Sequence, residues 1–128
     1  MPALSQLAAV GAGGAIGAVA RFAIQCIPSV TSHHKVWLTL GINLTGCLLI
    51  GVAWALVEHF GSSKLLNQFV IGGLLGGFTT YSTFAWDGVS LMRNGDIASS
   101  LLYISITLTG GLLMSAAAFH ITDKLLQS

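Results

Sequence analysis

Four long uncharged runs constrain this chain more than anything else in it: Met1 to Ala20, Val36 to Val57, Leu65 to Trp86 and Ile97 to Thr122. A helix crossing roughly 30 Å of bilayer hydrocarbon at 1.5 Å per residue needs about 20 mostly apolar residues, and each run meets that length. The charged residues, five Lys or Arg and four Asp or Glu, fall between the runs apart from Arg21. Only 7% of the 128 residues are charged and 54% are hydrophobic, where a soluble domain carries roughly a quarter charged. The expectation is an all-α membrane protein, one domain over residues 1–128, with helices at about 3–27, 36–58, 65–92 and 97–122. Lipid is its first partner. Four helices of this length are too few to enclose a pore alone, so a membrane oligomer is expected.

No Lys or Arg precedes the first run and no A-x-A-type cleavage site follows a short apolar core, so it reads as a mature helix rather than a secretory signal. A net charge of +1 argues against nucleic acid as a partner. Cys26 and Cys47 stand at unrelated positions and set no disulfide framework. The histidines, His33, His34, His59 and His120, are scattered over loops and helix ends without the thiol and acid companions of a metal site. No nucleophile motif such as G-x-S-x-G occurs, and an enzyme is not expected.

The connections are short: Pro28 to Lys35, His59 to Lys64, and Arg93 to Asp96. Four crossings put Lys64 and Lys124 on one side and Lys35, Arg93 and arguably Arg21 on the other. Orientation follows the Lys and Arg asymmetry of short loops, and two against three is almost none. Copies are therefore expected to insert both ways and to pair antiparallel.

The third run is irregular. It holds Gly72-Gly73 and then Gly76-Gly77-Phe78-Thr79-Thr80-Tyr81-Ser82-Thr83-Phe84, glycines and hydroxyls at mid-membrane depth. Backbone freed from a helix there must be satisfied by protein, ions or water, so a break is expected to line a site. The other reading is that the glycines only allow close helix packing.

Polar residues elsewhere also fall on faces. Ala9, Gly13, Gly17, Arg21 and Gln25 recur every four residues, as do Thr39, Asn43 and Cys47, and Tyr103, Thr107 and Gly111. The small residues of the first helix suit a helix contact. A guanidinium at the apolar boundary is expensive, and Arg21 either snorkels to the interface or serves an anion entrance. Asn43 needs a partner helix or a hydrated path, because an unpaired amide in hydrocarbon costs several kcal/mol. Tyr81, Phe84 and Asp87 recur every three residues, leading two rings toward a carboxylate expected in water or a vestibule. Ring edges are weakly positive and attract a small anion, although such a pair also serves plain packing.

Taken together, G-G-A-I-G-A-V-A-R at 13–21, Thr39, Asn43 and G-G-F-T-T-Y-S-T-F at 76–84 resemble the Fluc, or CrcB, fluoride channel family over nearly the whole chain. The resemblance implies a fluoride-selective channel that passively lowers cytoplasmic fluoride, built as an antiparallel dual-topology homodimer in a bacterial inner membrane. It implies that Asn43 orients the pore aromatics and meets the ion, and that Tyr81 and Phe84 form an aromatic box. Ser82, Thr83, Tyr103 and Thr107 would add hydroxyls, with Thr39 and Arg21 nearer the aqueous ends. The carbonyls of Gly76 and Thr79 would hold a structural sodium ion at the dimer interface. Three positions depart from the family pattern: Tyr81 where Phe is usual, Gly111 where Ser is frequent, and Asp87 where Glu is frequent. A small drug-efflux transporter and a non-conducting membrane subunit are the alternatives. The transporter would want a buried carboxylate in the first helix, which offers none.

Overall fold

The computed structural model describes residues 1–27 and 34–128 and contains helices only among them. Residues 28–33 of the connection expected over Pro28 to Lys35, His33 among them, lie outside the described residues. Helix α1 runs Leu4–Gln25 and α2 Lys35–Phe60. Helix α3 begins as Lys64–Asn67, widens to a π-helical stretch at Gln68–Leu75 and closes as Gly76–Phe78. Helix α4 is Tyr81–Arg93 and α5 is Ile97–Gln127. The starts of α3, α4 and α5 are set by side-chain caps: Ser63 Oγ accepts from Leu66 N at 3.1 Å, Thr80 Oγ1 from Thr83 N at 3.3 Å, and Asp96 Oδ1 from Ser99 N at 3.1 Å. Gly95, at φ 82°, supplies the left-handed residue that ends α4.

Helices α1, α2 and α5 are long and apolar enough to cross a membrane. Helix α4, with 13 residues, reaches only about 20 Å at 1.5 Å per residue. Helix α5 continues beyond its apolar run, through Asp123 and Lys124, and Gln127 Nε2 donates to Asp123 Oδ2 at 2.9 Å. That last turn is held as a polar helix end.

Two seams organise the packing. Along the first, α1 lies backbone to backbone against α3. A methyl on Gly13 would meet Leu74 N at 2.9 Å, and one on Gly73 would meet Val10 O at 2.6 Å. Gly17 and Gly77 are as tightly enclosed, by the Leu74 carbonyl and by Gly14. Only glycine lets two helices approach so closely, and in lipid such contact replaces the hydrophobic drive that water would supply. Along the second seam α2 packs on α5, where Gly51 meets the Ser115 backbone and Ser115 Oγ donates to Cys47 O at 2.9 Å. Helix α4 is tied to α5 by the fully buried Ser100, whose Oγ donates to Gly88 O at 2.7 Å. A small core of Val36, Phe84, Leu91 and Tyr103 forms where α2, α4 and α5 meet. Leucines such as Leu112 and Leu125 face outward, as lipid permits.

Candidate functional site

The site is built around two extended residues. Phe78 ends α3, Thr79 has φ −82° and ψ 158°, Thr80 has φ −148° and ψ 119°, and the helix resumes at Tyr81. Two residues thus leave the helical ladder within the apolar stretch. Asn43 of α2 answers for one of them. Its Nδ2 donates to Thr80 O at 3.0 Å, and Thr80 N donates to its Oδ1 at 2.8 Å, so one amide side chain replaces both ladder bonds of Thr80. Asn43 is buried, as an amide with this duty must be. Thr79 closes the preceding turn, with its hydroxyl and its N–H both donating to Leu75 O at 3.1 Å.

Against these residues lies a cleft of about 290 Å³, lined by Asn43, Gly46, Cys47, Thr79, Thr80, Tyr81, Phe84 and Thr107 together with aliphatic neighbours. Gly46 is obligatory there, because a side chain would enter the Thr79 methyl. The rings continue away from the cleft. Tyr81 and Phe84 have centroids 5.6 Å apart, and Phe84 and Tyr103 5.5 Å apart. Trp37 then meets Tyr103 edge to face at 6.1 Å. Tyr81 is 78% exposed, whereas Phe84 is 7% exposed.

The hydroxyls divide into two groups. Thr83 Oγ1 accepts from Thr80 Oγ1 at 3.1 Å, which leaves the Thr83 proton free for a further acceptor. Thr107 spends its proton on Tyr103 O at 2.7 Å. The fully buried Tyr103 hydroxyl donates to Asp87 Oδ2 at 3.3 Å, and Thr39, also buried, lies beside the same carboxylate while donating to Lys35 O at 3.2 Å. Asp87 is half-buried between these hydroxyls rather than standing free in water. Ser82 is exposed and does not line the cleft. Arg21 does not line it either: its Nε donates to Gly77 O at 3.3 Å, in the last turn of α3.

The fold therefore brings Asn43, Tyr81, Phe84, Thr107, Gly76 and Thr79 to one cleft, and Tyr103 and Thr39 to a carboxylate behind it. Thr80 is the residue that reading the chain for side-chain chemistry misses, because its part is played by its backbone. Its signal is the capping pattern Thr80-x-x-Thr83 within an apolar run. For a hard cation, the donor chemistry at the link is suitable. Thr80 N–H bonds to Asn43, so Gly76 O loses its usual helical donor, and Thr79 turns its own carbonyl out of the ladder. Gly76 is exposed and lines the cleft. Hard cations prefer such oxygens, but they take more than two.

These features define a multi-pass helical membrane protein with its polar groups gathered at an interruption among apolar helices. The model of the CrcB-like protein, Camphor Resistance (CrcB) family matches residues 8–119, and the chain belongs to that family. It is 40% identical over 121 residues to a protein of Pseudomonas putida named fluoride-specific ion channel FluC, covering 93% of this chain and 98% of the relative. A protein of the same name from Desulfotalea psychrophila is 36% identical, covering 92% of each chain. One from Paracoccus denitrificans is 38% identical over 109 residues, covering 85% of this chain and 84% of the relative.

Proposed function

We propose that this chain is a subunit of a fluoride-selective channel that lets fluoride leave the cell passively and so limits its toxicity. The observation that carries this reading is the end-to-end similarity to relatives named fluoride-specific ion channels. The cleft supports it chemically. Fluoride is small and strongly hydrated, so a selective path must replace its water with closely placed donors. The second N–H of Asn43 and the edges of Tyr81 and Phe84 are donors of that kind, and chloride gains less from them.

In this reading the third crossing is made in two halves, α3 and α4, joined at Thr79-Thr80, and two copies pair antiparallel. Residue placement favours such pairing. Arg21 bonds to Gly77 of α3, so Lys64 and Lys124 face Lys35 and Arg93 with no excess on either side. Tyr81 and Gly76 are exposed where a second copy would complete the cleft. Carbonyls Gly76 O and Thr79 O, doubled by that copy, would hold a sodium ion, which supplies a fixed positive charge beside the anion route. The channel would lie in a bacterial inner membrane. Fluoride efflux from liposomes, with chloride as comparison, tests the reading. Fluoride is expected to leave at least about tenfold faster than chloride, and Asn43→Asp and Phe84→Ile to slow it by about tenfold or more. A folded wild-type sample with no efflux above empty liposomes would overturn it.

A further inference from the structure

Arg21 stands on the same face of α1 as Gly13 and Gly17, one turn beyond Gly17. Those two glycines press on the backbone of α3 at Phe69, Leu74 and Phe78, so the face leads the Arg21 side chain along α3 to its end. There its Nε donates to Gly77 O at 3.3 Å, across 56 residues of sequence. A helix leaves its last four carbonyls without intrahelical donors and carries about half a negative charge at that end. In α3 those groups are the carbonyls of Gly76 to Thr79, since Leu75 O already accepts from Thr79, and the chain there runs into two extended residues. A helix normally places this end in water, or a Gly cap folds the chain back on it. Here it falls within the apolar stretch, the cap is Thr79 in extended conformation, and Gly76 O has lost its donor to Asn43.

We propose that Arg21 is the fixed cation of this half-helix end, a positioning residue that holds the Gly76 to Thr79 carbonyls in place from a neighbouring helix. Its charge opposes the negative helix end, and its Nε bonds the carbonyl at Gly77. The same charge stands one residue from Gly76 O, so Arg21 and a bound sodium ion compete to neutralise one end. The sign of the effect follows. Removing the guanidinium leaves the carbonyls more negative and makes the fold lean more on sodium from the buffer. The inference rests on the two-halved crossing of the channel reading and goes beyond it in naming what stabilises the first half.

The test compares wild type, Arg21→Lys and Arg21→Gln in detergent and in liposomes. Melting midpoints are read in sodium chloride against N-methylglucamine chloride, and fluoride efflux is read separately. Arg21→Gln is expected to at least double the midpoint gain given by sodium, roughly the direction a lost unit charge dictates, and to slow efflux by about tenfold. Arg21→Lys, which keeps charge but not the fork, is expected to retain the wild-type sodium response and efflux within about threefold. If Arg21→Gln yields no folded protein, the lysine variant decides: a sodium response at least doubled there overturns the proposal, and an unchanged one supports it. Equal losses in both variants with an unchanged sodium response would make Arg21 a packing residue and overturn it. Absence of efflux from the wild type would defeat the channel reading, while the sodium comparison would still decide the role of Arg21.

Discussion

At the scale of single residues, Asn43 carries the most. Replacing it with Ala removes both partners of the Thr80 peptide group within the apolar stretch. The loss is expected to be about 1–3 kcal/mol, read as a lower melting midpoint in detergent, together with reduced fluoride efflux. Tyr81→Phe is expected to shift the midpoint by no more than about 1 °C, since that side chain is 78% exposed and its ring contact with Phe84 survives the change. A drop of several degrees would mean that the phenol holds something in the assembled protein. Asn43 was legible as a buried polar group in need of a partner, because a lone amide in an apolar run is too costly to leave unpaired. Its partner was not, because an amide that pairs with a backbone leaves no mark on the partner's side chain. The direction of Arg21 was hidden for a related reason. Four-residue spacing shows which face a residue occupies, but a long side chain on that face can still point along the helix either way.

At the scale of elements, the glycine seam between α1 and α3 makes a sharp contrast available. Gly17→Ala drives a methyl into the Leu74 carbonyl and is expected to cost about 2 kcal/mol or more, whereas Gly11→Ala has nothing within 4 Å and is expected to be neutral or slightly stabilising. Thermal unfolding of the two variants side by side reads the difference. The seam was visible as four-residue spacing in α1, but its other half was obscured by the π-helical stretch at Gln68–Leu75, which alters the register that ordinary helix spacing assumes. Across that wide turn Gly13 meets both Phe69 and Leu74, five residues apart. The end of α5 also ran past expectation, since Asp123 and Lys124 mark where lipid stops and not where the helix does.

At the scale of the molecule, charge balance and an open cleft lead to the same test. Ser62→Lys together with Ser128→Lys puts extra positive charge on the side of Lys64 and Lys124. All copies are expected to take one orientation, read from accessibility of a C-terminal tag, with efflux lost for want of an oppositely inserted partner. Undiminished efflux from singly oriented copies would refute antiparallel pairing. The spans of α1, α2 and α5 were plain in the chain because hydrophobic length is a direct physical requirement of the bilayer. The way the polar groups divide between the cleft and the Asp87 cluster depends on how α2, α4 and α5 meet, which no spacing within one helix encodes. The bond pair between Asn43 and Thr80 also bears on how the chain is made. Emerging from the ribosome, α2 reaches the membrane well before Thr80 does, and neither the amide nor the open peptide group is at ease in lipid alone. The two stretches are best released from the insertion machinery as one hairpin, with α2 waiting at the lateral exit until α3 and α4 arrive.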